Sequence, residues 1–516
     1  MPYRKHQPFD YEPVTRSPQK KGVRESEAVA ADAWLAPPQS GAGAGNEPED
    51  AQVWQPRVPV TERPAITTKA VQESWIVRRG HTLSYAGLLL FTIFLYFRPY
   101  ELFSALSALS SMTFWIAILT LVAFIPAQFS LEGNITARPR EVNLLLLFCL
   151  TAIASIPLAI NPGEAYGAFV EYLKPVIIFI VIINVVRTEA RLKKLIGISL
   201  TVSIVASVSA INDFRAGVLA DNRVWGLIGN LLSNPNDLAL HLATMVPLAV
   251  ALAFVSRGAI RKTLYAICAL LMVAANVVTF SRGGFLGLVG GGAVLAWKLG
   301  RRNRLAMVMI VLVFVGMFAL APGGYGNRLG SIFDASKDAS GSSGARQALL
   351  TLSIQVALRH PLLGIGMGNF HIVSIHEQVS HNAYTTVAAE MGMTALVLYV
   401  LFIITPLRRL RQIERETLAA AGRRSHFYYL AIGAQASLVA YMISSFFATV
   451  PYHFYVYYLV GYAVCLRRLY YIETSAAQEV LKYAAENHVA VDRPGGELQH
   501  SYQSFALHEP QGAADH

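Results

Sequence analysis

In QVSHNAYTTVAAEM (residues 378–391) a His-Asn pair stands directly before a long apolar run, and one glutamate lies inside that run. His381, with an ordinary pKa near 6.5, is suited to take a proton from a hydroxyl at neutral pH. Asn382 stands beside it, and Glu390 falls about two turns into an apolar helix. An ionised group at that depth is tolerated only against polar partners. Glu390 is therefore expected to face inward and to hydrogen-bond an arginine or an imidazole, fixing the geometry of a site. FSRGGFLG (280–287) supplies a cation: Arg282 precedes Gly283 and Gly284 at a predicted helix start. A planar guanidinium beside free backbone amides matches the oxygens of a pyrophosphate. Its plainer reading is a side chain anchoring a helix end at the membrane interface. Gly283, Gly287 and Gly291 recur at every fourth residue, which suits close helix packing better than a nucleotide loop.

A second polar cluster lies in SNPNDLA, where Ser233, Asn234, Asn236 and Asp237 surround Pro235 before another apolar run. Local capping of a helix accounts for these types equally well. Arg223, upstream in the same connector, either lines the mouth of a site or solvates a loop. Arg346 begins a predicted helix over 345–359, where it is a second cation for the site or a solvated charge. That helix ends at HPLLGIGMGNF, whose His360-Pro361 and glycines at 364, 366 and 368 predict turns. No strand precedes these glycines, so they do not read as a dinucleotide fingerprint. His371, His376, Glu377 and His381 raise the possibility of a metal. The histidines of HEQVSH are five apart, however, about 140° around a helix, which misses the two-histidine zinc spacing. Neither a metal nor a cofactor is expected.

These residues need a scaffold, and composition says which kind. The chain has 516 residues, 54% of them hydrophobic and 15% charged, with mean hydropathy +0.42. That is the composition of an all-α polytopic membrane protein. Apolar runs able to cross a bilayer occur near 83–97, 103–127, 142–160, 168–186, 193–211, 237–256, 263–280, 284–299, 305–321, 384–406, 427–448 and 452–468, which predicts about twelve helices. Lys and Arg fall in every second connector, from Arg138 and Arg140 through the Arg408–Arg424 cluster to Arg467 and Arg468. By the tendency of cations to stay inside, both termini are expected in the cytoplasm. The formal net charge of +11 thus reflects topology, and no aromatic-studded basic face points to nucleic acid. Residues 221–239, 280–287 and the connector 322–384 then share the outer face.

The expected organisation is a disordered tail over 1–80, without the pattern of a cleaved signal peptide, a membrane domain over 81–470, and a polar tail over 471–516 with a short helix near 476–485. Cys149, Cys268 and Cys465 lie inside apolar runs and read as packing residues.

The ordered set NPND, SRGG, the loop ending HPLLGIGMGNF, and HNAYTTVAAEMGM resembles the O-antigen ligase and polymerase superfamily of bacterial envelope glycosyltransferases. The likeness is strongest over residues 223–400. It implies a multi-helix fold like the class C glycosyltransferases, in the bacterial inner membrane, with a large periplasmic loop and the active site facing the periplasm. It further implies inverting transfer of a glycan from an undecaprenyl-diphosphate carrier to an acceptor hydroxyl on lipid A-core, glycan or protein, without metal. By motif, Arg282 and Arg346 would hold the diphosphate and His381 would serve the acceptor, with Arg223, Asn236, Asp237, Asn382 and Glu390 in support. The family usually places Trp after the loop arginine, whereas this sequence reads GARQALLTL. Arg328 or Arg223 is therefore an alternative to Arg346. A ligase and a polymerase would share this donor chemistry. A transporter or flippase would instead call for midplane charges and broken helices in paired halves, which the sequence does not suggest.

Overall fold

The computed structural model describes residues 75–98, 111–219, 223–226, 232, 234–301, 303–319, 326, 342–374, 377–420 and 426–486. Ser233, Arg328, His376 and both expected tails beyond these bounds lie outside the described residues. Among the described residues the chain is helical, with no β-strand. In chain order the helices are α1 (Trp75–Phe97), α2 (Met112–Glu132), α3 (Arg140–Ser155), α4 (Pro162–Val185), α5 (Glu189–Arg215), α6 (Pro235–Val255), α7 (Ala259–Val278), α8 (Arg282–Gly300), α9 (Arg304–Ala319), α10 (Ser342–Arg359), the single turn α11 (Phe370–Val373), α12 (Ala383–Ala420), α13 (His426–Ser444) and α14 (Phe454–Glu486).

Each of the twelve predicted spans has a helix. Nine of the described helices are long and apolar enough to cross a membrane, and His81–Phe97 and Arg304–Met317 are shorter apolar segments. The twelfth span falls in α14. This helix continues to Glu486, so the separate helix expected near 476–485 is the end of one continuous rod. The outward faces suit lipid: Leu119 and Val122 of α2, Leu146 of α3, Leu270 of α7 and Leu312 of α9 are exposed. Such faces would be an aggregation hazard in water but match hydrocarbon.

Ion pairs tie together the ends of several helices. Arg467 of α14 makes a bidentate pair with Glu141 of α3 (2.9 and 3.1 Å), the carboxylate being wholly buried. Arg187 and Arg468 share Glu132 at the end of α2, and Lys298 of α8 pairs with Glu414 of α12. Inside, tyrosine hydroxyls find partners across helices, with Tyr399 to Tyr441 at 2.8 Å and Tyr457 to Tyr172 at 3.1 Å. Burying these rings gains apolar contact only because each hydroxyl is hydrogen-bonded.

Small residues let α6, α8 and α13 approach closely. A Cβ on Gly284 would lie 2.2 Å from Ala239 Cβ, and ones on Gly283, Gly287 and Gly291 would lie 2.5 Å from Phe447 Cβ, 1.8 Å from Ser444 Oγ and 3.1 Å from Ala440 Cβ. The four-residue glycine spacing is therefore a packing device, as the sequence suggested.

The helix that follows His381 is not straight. Gly392 in α12 has φ of 84°, a left-handed value inside an otherwise helical run. A break there frees carbonyls that lipid could not satisfy. The segment 361–368 fills the gap: Ile365 N donates to Ala389 O (3.0 Å), Gly366 N to Glu390 O (2.9 Å), and Met393 N to Pro361 O (2.8 Å). The approach is close enough to exclude a side chain, because a Cβ on Gly364 (φ 67°) would stand 2.2 Å from the Glu390 carbonyl carbon. Gly364→Ala is expected to lower stability by about 1–3 kcal/mol through overpacking and left-handed strain, read as a lower unfolding temperature in detergent.

Candidate active site

The connectors on the end opposite the buried ion pairs meet around a cavity of about 340 Å³, near the lower end of the range usual for ligand pockets. Four stretches of chain line it. Asn234, Asn236 and Asp237 come from the start of α6, and Gly368, Phe370 and His371 from the glycine loop. Ser380, His381, Thr386 and Glu390 come from the start of α12, and Ala448, Thr449, Tyr452 and His453 from the α13–α14 connector.

Local chemistry explains how each stretch is held. Asn234 caps α6 by accepting from Asn236 N at 2.9 Å, so the capping reading of SNPND is right for this residue. Asn236 does something else. Its Oδ1 accepts from Arg223 Nη2 (2.9 Å) and from Ser281 Oγ (2.9 Å). Arg223 also donates from Nε to the Thr279 carbonyl (3.2 Å). The arginine thus ties its connector to α6 and to the α7–α8 turn rather than solvating a loop. Ser281 caps α8 through Gly284 N (3.3 Å), so Arg282 begins a capped helix one residue from a side chain bonded into the cavity wall. Phe280 before it has φ of 52°.

His381 is held in an equally rare conformation, with φ of 54°. Such a value in a non-glycine residue costs about 1–3 kcal/mol and persists only where surroundings fix it. Here its backbone N–H donates to Thr449 Oγ1 (2.9 Å). Burial pushes the His381 imidazole down to about 4, and the nearby Arg346 guanidinium adds to the effect. The ring is neutral at pH 7, the state a proton acceptor needs. Arg346, half-buried on α10, is thus electrostatically coupled to His381.

Asn382 is a cap. Its Oδ1 accepts from Tyr384 N (2.9 Å) and Thr385 N (3.2 Å), which fixes where α12 begins and hence where His381 stands. Glu390 is inward-facing as expected, only 4% exposed, but its partners differ from expectation. Among the described residues neither an arginine nor an imidazole hydrogen-bonds it. Tyr452 Oη donates to Oε2 (2.8 Å) and Phe370 N to Oε1 (3.3 Å). The carboxylate joins the glycine loop to the α13–α14 connector because the break in α12 brings that loop beside it.

The structure therefore gathers Asn236, Asp237, His381 and Glu390 around one cavity, with Arg223 bonded into its wall. Arg282 and Arg346 do not line it; Arg282 flanks the wall at Ser281, and Arg346 reaches His381 through charge. The sequence reading did not single out Thr449, Tyr452 and His453. In ATVPYH they lie in a short polar turn with no motif spacing, and only helix packing brings them near His381. Glu377 is described but is not among the cavity-lining residues, and no group of three metal-ligand side chains converges among the described residues.

Residues 267–400 match the family described as O-antigen ligase. The match takes in Arg282, α10 with Arg346, the glycine loop, His381 and Glu390, and leaves Arg223, Asn236, Asp237 and the α13–α14 connector outside. No curated protein matches the chain.

Proposed function

We propose, from a multi-pass membrane chain carrying an O-antigen ligase domain over residues 267–400, that it transfers a glycan from an undecaprenyl-diphosphate carrier to an acceptor hydroxyl. The reaction takes place at the periplasmic face of the bacterial inner membrane, with both termini in the cytoplasm. The observation that carries this reading is a neutral, strained imidazole on a cavity wall that is bonded through Asn236 to the residue before Arg282.

The chemistry divides between two kinds of group. Arg282 and Arg346 hold the diphosphate, whose negative charge grows as the anomeric C–O bond breaks and its electron pair passes to the leaving phosphate. His381 orients the acceptor hydroxyl and takes its proton as oxygen bonds to the anomeric carbon from the opposite side, inverting the linkage. The activated carrier supplies the driving force, so neither nucleotide nor metal takes part.

The test is the purified chain in liposomes with carrier-linked glycan and an acceptor lipid: transfer is expected without added nucleotide, and its absence would remove the reading. A deletion strain separates the two forms of the reaction. Chains of normal length left on their carrier support ligation, whereas loss of chain-length distribution supports polymerisation. Thr449→Val removes the acceptor for His381 N–H while keeping side-chain volume. Losing this hydrogen bond costs about 1 kcal/mol, so turnover is expected to fall roughly fivefold, measured as kcat in the same liposomes.

A further inference from the structure

Among the described residues three histidines line the cavity, and their surroundings give them different uses. His371 is engaged at both nitrogens: Nδ1 lies 2.9 Å from the Gly368 carbonyl, to which it donates, and Nε2 stands 3.3 Å from Glu164. His381 is the proton acceptor of the proposed transfer, its imidazole held neutral chiefly by burial. His453 is the third case. It lines the cavity, and among the described residues its buried Nδ1 has no hydrogen-bond partner. Burial lowers the pKa of His453, which favours the neutral ring with its single N–H. Placing that hydrogen on the sealed Nδ1 would orphan a buried donor, which is rarer than leaving a lone pair unused. The favoured tautomer carries its proton on Nε2, which makes His453 a donor rather than a base.

The rest of the lining agrees with that assignment. Asp237 and Glu390 bring carboxyl groups, Thr449 and Tyr452 bring hydroxyl oxygens, and among the described residues no lysine or arginine lines the cavity. Such a wall offers the hydrogen-bonding groups that suit the hydroxyls of an uncharged ring.

Taking the glycan-transfer reading as its basis, we propose that this cavity is the subsite for an uncharged pyranose of the lipid-linked glycan. His453 Nε2 donates to one of its oxygens, and the diphosphate lies outside, toward Arg282.

The experiment compares two probes on the full chain in nanodiscs: bare undecaprenyl diphosphate, and the carrier-linked glycan collected from a strain lacking this chain. Wild type is expected to bind the glycan-bearing carrier more tightly. His453→Ala should lose about five- to tenfold of that preference while its affinity for the bare carrier is unchanged, which also shows that the variant is folded. His453→Gln, which restores an N–H donor, should recover most of it. Equal weakening of both probes, or glutamine behaving as alanine, would overturn the subsite. An unaffected His453→Ala in a chain that still transfers glycan would overturn it too and leave the transfer reading standing. A wild type that binds neither probe would defeat the transfer reading and this inference with it.

Discussion

His381→Ala is expected to lower glycan transfer by about 10²–10⁴-fold, the range for removing a positioned general base. The argument rests on protonation state and on geometry. Burial is the larger cause of the depressed His381 pKa of about 4, and Arg346 is the smaller. A base acts only when deprotonated, so activity should be level at neutral pH and fall as pH drops through about 4. An imidazole at its ordinary value would instead fail below about 6.5. Arg346→Gln removes the smaller cause, so the acid limb should move upward without reaching 6.5, because burial persists. A pH profile of kcat/KM for the two proteins checks this. An acid limb of wild type near 6.5, or one that Arg346→Gln leaves in place, would count against His381 as the base.

Arg282→Ala is expected to lower transfer by about 10²–10³-fold, the usual cost of removing one group that stabilises charge in a transition state. The position supports the assignment. Arg282 follows Ser281, which caps α8 and is bonded to Asn236 in the cavity wall, and Phe280 before it holds a left-handed backbone that aims the turn. Arg282→Lys keeps the charge but loses the planar fork, and should recover only part of the loss. The measurement is turnover in liposomes beside the affinity for bare undecaprenyl diphosphate. An alanine variant with normal turnover would make Arg282 an interfacial anchor only.

Much of this arrangement was legible in the chain itself. Each of the twelve apolar runs carries a helix, nine of them of spanning length among the described residues, because the requirement to cross hydrocarbon leaves a strong one-dimensional signal. Lys and Arg spacing placed Arg187 and Arg468 at the same end, and both meet Glu132. Polar residues before apolar runs foretold Asn234 and Asn382 as caps. The α13–α14 connector was silent, because Thr449 and His453 are separated from His381 by about seventy residues and meet it only through packing. Glu390 was placed inward correctly, yet its tyrosine partner could not be read. The break at Gly392 was hidden for a related reason: a lone glycine in a helical run is ordinarily tolerated, and only the opposing glycine loop shows what it is for.

That break has a consequence for biogenesis. The amides that satisfy the Ala389 and Glu390 carbonyls belong to residues 365 and 366, upstream of α12 itself. As a lone segment entering the bilayer, α12 has no partner for a bent form and is expected to insert as a straight rod. The kink then forms when the preceding hairpin of chain docks, so the membrane helix and its extramembrane neighbour mature in an obligatory order.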